Sequence, residues 1–324
     1  PNQAIVNDQS GLNAVIGTQT DASCNGGADG EVTISAFGNN ATPYSYSIDG
    51  ITFVSDSTFT GLAAGPYTIT VEDQNGCQFN VNVTITEPTP VSGIAAVVDA
   101  TCNGGCDGQI TITGSGGTGT LEYSSDNGTT FQAGNVFAGL CAGTYNLVVR
   151  DVNGCTFNFT ATVNEPIAIT YTWTATNSIC GGSDGTITVT ASGGGGNYVY
   201  SIDGGAFQAS NTFTGLAAGT YTIDVQDQFG CIGTGTANVS NDAAPVINST
   251  TFTNATCFGD CDGTITVTAS GGTGGLMYSI NGGPLGAASV FNGLCAGTYN
   301  ILVEDGNSCQ VFDQVIITEP TQVT

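Results

Sequence analysis

The residues able to do chemistry in this 324-residue chain are its twelve cysteines and a recurring set of aspartates. Two segments carry cysteines four apart, "TCNGGCDG" at 101–108 and "TCFGDCDG" at 256–263; the phrase returns with a single cysteine as "SCNGGADG" (23–30) and "ICGGSDG" (179–185). Cysteines so spaced suit a zinc knuckle, a redox pair, or half of a structural crosslink. The chain has no His or Lys, and Arg150 is its one basic residue. Imidazole bases, Ser-His and Cys-His nucleophiles and Schiff-base amines are thereby excluded. The glutamates at 87, 165 and 319 read as solvated linker residues, and the glycine runs at 114–119 and 193–196 precede strands, so they are turns and not phosphate loops. An enzyme is not expected.

What must position these residues is a tandem array. Cys24, Cys102, Cys180 and Cys257 recur at spacings of 78, 78 and 77 residues. Each is followed by an alternating apolar run, a "GLxAGxY" phrase, a turn closed by Cys77, Cys155, Cys231 or Cys309, and a last alternating run that ends in "ITEP", "VNEP", "VSND" or "ITEP". The expected domains are residues 1–88, 89–166, 167–243 and 244–320, with 321–324 opening a further repeat. Linker-like sequence at both ends predicts a slice of a longer exported polypeptide.

Cys77, Phe79, Val81, Val83 and Ile85 alternate with polar residues at the period of a half-buried strand. Val32 and Ile34, and their counterparts in the other repeats, do the same. About six or seven short strands per repeat, punctuated by Gly, Asn and Asp, predict an all-β chain: a tandem array of four small Ig-like β-sandwich domains stapled by disulfides. A formal net charge of -25 repels nucleic acid and anionic membrane, and no apolar run is long enough for direct membrane insertion. With 40% hydrophobic residues in regular alternation, the chain is expected to fold.

These phrases in combination, "CNGGADG" with "VTISAFG", "GLAAGPYTITVEDQNGC" at 61–77 and the closing "TITEP", resemble the SprB-type repeat of surface adhesins from gliding Bacteroidetes. The resemblance covers nearly the whole chain four times over. It implies an extracellular, cell-surface location, export by the type IX route, and a part in adhesion or gliding; no catalytic residues come with it.

Comparison of the repeats assigns the cysteines. Cys106 and Cys261 occur only where Cys141 and Cys295 also occur; elsewhere the positions are Ala28 with Ala63 and Ser183 with Ala217. Sites that gain and lose cysteine together pair as Cys106 with Cys141 and Cys261 with Cys295. The universal cysteines are left to pair within repeats, Cys24 with Cys77, Cys102 with Cys155, Cys180 with Cys231 and Cys257 with Cys309. A strand's length between the two ends strains that scheme. The alternative joins neighbours: Cys24 to Cys155, Cys102 to Cys231 and Cys180 to Cys309. Zinc fits poorly, because two repeats keep the scaffold with two cysteines and no histidine.

Asp29, Asp107, Asp184 and Asp262 in the "DG" phrase, and Asp73, Asp151, Asp227 and Asp305 before the last cysteine, are candidate Ca²⁺ ligands if a bridge draws their loops together. Otherwise they cap turns. No other cofactor is expected. Two functions follow: a structural spacer or fibre segment of a large surface adhesin, or a multivalent module holding surface glycans through Tyr44, Tyr123, Tyr198 and Tyr278. Expected partners are neighbouring repeats of the same longer chain, like chains in a filament, or surface glycans.

Overall fold

The structure is a computed structural model that describes residues 11–38 and 41–323. The first ten residues of the expected first domain, Asn39, Asn40 and Thr324 lie outside this range. Among the described residues there is no helix. The first repeat runs β1 (Asn13–Thr20), β2 (Gly30–Phe37), β3 (Ser45–Ser47), β4 (Thr58–Leu62), β5 (Gly65–Glu72) and β6 (Gln78–Ile85). They form two three-stranded antiparallel sheets, β1-β2-β4 and β3-β5-β6. The same pair of sheets recurs three more times along the chain, so each repeat is a small Ig-like sandwich. The third adds a two-residue parallel ladder between Ser178–Ile179 and Asn241–Asp242. Two compact units divide the chain, Pro1–Glu165 and Pro166–Thr324, each holding two repeats.

Alternation decides which face is buried. Val32 and Ile34 of β2, Ile69 and Val71 of β5, and Val81, Val83 and Ile85 of β6 meet between the sheets of the first repeat, and equivalent residues build a separate core in each of the others. A tyrosine fixes the corner entering β5. The Tyr67 hydroxyl donates to the Ala63 carbonyl (2.9 Å), and Tyr145, Tyr221 and Tyr299 do the same to Cys141, Ala217 and Cys295. Such a bond back to the preceding corner is characteristic of immunoglobulin-like sandwiches.

The glycine of each "DG" phrase is required by packing. A Cβ on Gly108 would stand 2.6 Å from Val163 Cγ1 and 2.9 Å from the Leu140 carbonyl oxygen, where the two sheets close on each other. Replacing Gly108 by Ala should therefore destabilise the second repeat by about 1–3 kcal/mol, the usual cost of overpacking. Denaturant unfolding monitored in that repeat checks this; an unchanged midpoint would contradict it.

Each sandwich has two poles. Thr20, Gly30, Leu62, Gly65 and Ile85 gather at one, by the pairings Thr20 with Glu31, Gly30 with Leu62 and Gly65 with Ile85. Asn13 with Phe37 and Glu72 with Gln78 lie at the other. Cys24 belongs to the first pole and Cys77 to the second, separated by the length of eight-residue β5, about 25 Å.

Candidate functional site

The site this architecture builds is the joint between successive repeats. Because β6 ends at the Cys24 pole and the next strand begins at Ser92, the first repeat presents its Cys24 pole to the Cys155 pole of the second. Cys24 is bonded to Cys155, with Cα atoms 5.6 Å apart, and Cys180 to Cys309, at 5.3 Å. Cys102 and Cys231 are also disulfide-bonded. This overturns the within-repeat scheme: Cys24 does not pair with Cys77, Cys102 with Cys155, Cys180 with Cys231, or Cys257 with Cys309. The reason is the strand length that places the two members of each such pair at opposite poles, well beyond the 4.4–6.8 Å a disulfide spans. Cys77 and Cys257, expected in bridges, are free. Within repeats, Cys106 is bonded to Cys141 and Cys261 to Cys295, closing the "DG" loop onto the "GLCAG" corner.

The Cys24 pole is held by a carboxylate from the linker. The Gly26 N–H donates to Glu87 Oε2 (2.6 Å) and Asn25 Nδ2 to Oε1 (2.9 Å). Glu165 grips Gly104 and Asn103 in the same way, and Glu319 grips Gly259. In the third repeat, whose ending is "VSND", the Gly181 N–H donates instead to Asn241 Oδ1 (2.8 Å). The glutamates are therefore loop clamps and not merely solvated linker residues. Recurrence of "EP" with "CNGG" was the signal available for it. Beyond Glu87 the linker is anchored at once, since Val91 is buried in the core of the second repeat and the Gly117 N–H donates to the Thr89 carbonyl (2.8 Å).

The aspartates complete both poles. Asp29 accepts the backbone N–H and hydroxyl of Ser23; Asp107, Asp184 and Asp262 accept the N–H of Thr101, Ile179 and Thr256. At the other pole Asp73, Asp151, Asp227 and Asp305 are buried, and one oxygen of each accepts the N–H groups two and four residues on, ending at the cysteine. The second oxygen of Asp151, Asp227 and Asp305 accepts an N–H from Thr118, Gly195 or Thr273. Among the described residues no three acidic or cysteine side chains converge as a metal cage. The bridges draw the Asp29 loop towards the Asp151 hairpin of the next repeat, not towards Asp73, so the geometry that motivated a Ca²⁺ site within one repeat is not formed. Across the joints, Asn153 Nδ2 donates to the Ser23 carbonyl (3.1 Å) and Asn307 Nδ2 to Asp242 Oδ2 (3.3 Å).

Hydrogen bonds to the charged form hold several carboxyls below the ordinary carboxylate range: Ser23 side chain and backbone for Asp29, Thr101 for Asp107, Thr256 for Asp262, and the Thr273 N–H for Asp305. Asp126 is lowered to about 2 by the Thr130 hydroxyl and N–H and by Ser124. A depressed folded-state pKa contributes stability that is complete above the unfolded value and is lost as pH falls through the folded value. With no histidine to titrate, thermal stability should be flat from about pH 5 to 7 and fall between about pH 4 and pH 2. A melting-temperature series would check this, and a decline beginning near pH 6 would contradict it.

The tyrosines considered for glycan contact are half-buried wedges. Tyr44, Tyr123, Tyr198 and Tyr278 pack against the four cores, and the hydroxyls of Tyr44 and Tyr198 are tied to the carbonyls of Gly38 and Gly193.

A family model described as "SprB repeat" matches residues 16–53, 94–130, 172–207 and 249–285, in each case the segment from the first strand through the cysteine loop to the hairpin after the third strand. The chain carries four SprB repeats. The remainder of each repeat, outside the matched residues, holds its last three strands and supplies the "GLxAGxY" corner and the cysteine hairpin. No curated protein matches the chain. Among solved structures it is similar to Sidekick-1 immunoglobulin domains 1-5 at 13% identity, covering 96% of this chain and 80% of that one with a TM-score of 0.25. It is similar to invasin, described as a bacterial integrin-binding protein, at 12% identity over 94% and 79% of the two chains with a TM-score of 0.34. For surface layer protein SbsC, domains 1-6, the figures are 15%, 96% and 55%, with a TM-score of 0.23.

Proposed function

We propose that these four SprB repeats are a non-catalytic, load-bearing segment of a large exported surface protein, an adhesin or filament reaching out from the cell. One observation carries the reading: the first repeat is bonded covalently to the second, Cys24 to Cys155, and the third to the fourth, Cys180 to Cys309, so that at these two joints tension crosses through a disulfide. Glu87, Val91 and Asn153 stiffen the joint around the bond. The set of four domains follows the sequence repeat, and each domain has its own core. On this reading the parent is exported by the type IX route and acts in adhesion or gliding, as its repeat family implies.

The test is mechanical. Pulled between its termini, oxidised protein should lengthen far less than reduced protein. Equal final lengths would remove the load-bearing role. Glycan recognition is the weaker reading, because the candidate tyrosines are wedged into core edges; an array screen giving saturable, repeat-dependent binding would restore it.

A further inference from the structure

Asn-Gly is the dipeptide in which an asparagine amide is most easily lost, because no Cβ hinders the glycine nitrogen as it attacks the amide carbon. The chain carries it at 25, 75, 103, 127, 153, 281 and 292. The reaction needs a glycine N–H free to give up its proton and an electron-poor amide carbon, and hydrogen bonds set these sites apart on both counts. At Asn25 the Gly26 N–H donates to Glu87 Oε2 (2.6 Å), while Asn25 Nδ2 donates to Glu87 Oε1 (2.9 Å) and to the Pro88 carbonyl (3.2 Å). Glu165 holds the Gly104 N–H (2.6 Å) and Asn103 Nδ2 (3.0 Å) in the same way. A carboxylate on the N–H makes that proton harder to remove, and one on the amide nitrogen pushes electron density onto the carbon, so both requirements fail. The Gly76, Gly154 and Gly128 N–H groups are held too, by the carbonyls of Asp73 (3.0 Å) and Asp151 (3.1 Å) and by Ser124 Oγ (2.9 Å). Asn292 lies inside a strand, opposite Thr264.

Asn281 differs. Asn281 and Gly282, with φ of 48° and 70°, are the central pair of a turn closed by the Gly283 N–H on the Ile280 carbonyl (2.9 Å), and both are exposed. Among the described residues nothing accepts the Gly282 N–H. The amide of Asn281 is held by its oxygen, since the Asn300 N–H donates to Oδ1 (2.8 Å), and this draws electron density away from the carbon. In the third repeat the same turn carries an aspartate. Asp203 and Gly204 have the same φ values, the Gly205 N–H donates to the Ile202 carbonyl (2.9 Å), and the Thr222 N–H donates to Asp203 Oδ1 (2.7 Å). The backbone that holds Asn281 therefore also accepts Asp.

We infer that Asn281 is a site of spontaneous covalent modification, deamidating through a cyclic imide, and that Glu87 and Glu165 guard the same dipeptide in the Cys24 and Cys102 loops. Hydroxide takes the Gly282 N–H proton and becomes water. The nitrogen attacks Asn281 Cγ, the new C–N bond forms, and the Cγ–Nδ2 bond breaks as ammonia leaves with a proton returned by water. A second water then opens the ring. Cleavage of the bond to Cγ gives aspartate on the original backbone, as at Asp203; cleavage of the bond to the main-chain carbonyl carbon gives isoaspartate, which adds a methylene to the turn. One water is consumed, one ammonia is released, and nothing is oxidised or reduced.

The test is peptide mapping of oxidised wild-type protein held in mildly alkaline buffer made with heavy-oxygen water. Label should enter position 281 first, at least about tenfold faster than positions 25 or 103, the factor that one hydrogen bond to a charged group supplies. Aspartate and isoaspartate should both form there, faster as pH rises. Glu87→Ala should raise labelling at Asn25 about tenfold and leave Asn103 unchanged, with Cys24–Cys155 still recovered as proof of folding. Asn281→Asp should melt at the wild-type temperature. The wild-type ranking decides the matter even if Glu87→Ala does not fold: label at Asn25, Asn75, Asn103 or Asn153 as fast as at Asn281 overturns the inference. A folded Glu87→Ala protein with an unchanged rate at Asn25 overturns the guarding role. Labelling is read without load, so its failure leaves the load-bearing reading intact, and failure of the pulling experiment leaves this site untouched.

Discussion

Stretched between its termini, the oxidised protein should end about 900 Å shorter than the reduced one, because bridges spanning 131 and 129 residues take that much chain, at about 3.3–3.6 Å per residue, out of the load path. The path enters at Cys24, crosses to Cys155, runs along the backbone to Cys180, crosses to Cys309 and leaves. Between those crossings only residues 155–180 bear tension. They include the last strand of the second repeat, Thr156–Val163, held by Gly143–Arg150, and the first strand of the third, Thr170–Thr176, held by Gly185–Ser192, so early yielding should come from these strands and from Asn13–Thr20 and Gln310–Ile317, which lie between the termini and the bridges. Single-molecule force spectroscopy with and without reductant measures both features. Matching final extensions would show that the two bridges do not carry force.

Trypsin should leave the oxidised protein almost untouched and cut the reduced protein quickly at one place. Arg150 is the sole target, at the end of a strand that lies between Thr156–Val163 and Glu122–Ser124. Its guanidinium donates to Glu122 Oε2 (2.6 Å) and sits 3.7 Å over the ring of Phe131. A protease needs this strand opened, and opening is opposed by the bridge at Cys141 before it and the bridge at Cys155 after it. Taking about 4 kcal/mol for the 35-residue loop closed by Cys106 and Cys141, reduction should raise the cleavage rate roughly 10³-fold where cleavage tracks the open population. Because Cys24–Cys155 spans the cut, the two fragments should separate on a gel only after reduction. Cleavage of oxidised protein at the rate of an unfolded chain would show that this strand is not held.

Much of this was readable before any coordinates. Period-two alternation at Val32 and Ile34, or at Val81, Val83 and Ile85, specifies which face of a strand is buried, and a strand of known length specifies where its ends fall. Paired gain and loss of cysteine at 106 and 141 marks neighbours, and the structure has both such bonds. The universal cysteines were harder, since every repeat has both members and comparison between repeats carries no information on which copy pairs with which. The length of β5 decides it, once both poles are located. Glu87 was misleading for a different reason: a carboxylate that clamps backbone N–H groups is indistinguishable in sequence from one that faces water, because its partners are atoms every residue has.

The polarity of the joints also imposes an order in time. A repeat's leading cysteine has no partner until the following repeat has been delivered and folded, for only then does an opposite pole exist to receive it. Oxidation at the joints must therefore trail folding by one repeat as the chain emerges, whereas Cys106–Cys141 and Cys261–Cys295 can close within their own repeats, and a repeat that fails to fold leaves its predecessor's joint thiol exposed. The position of an unexpected free cysteine would name the defective repeat, so the array keeps a chemical record of its own assembly.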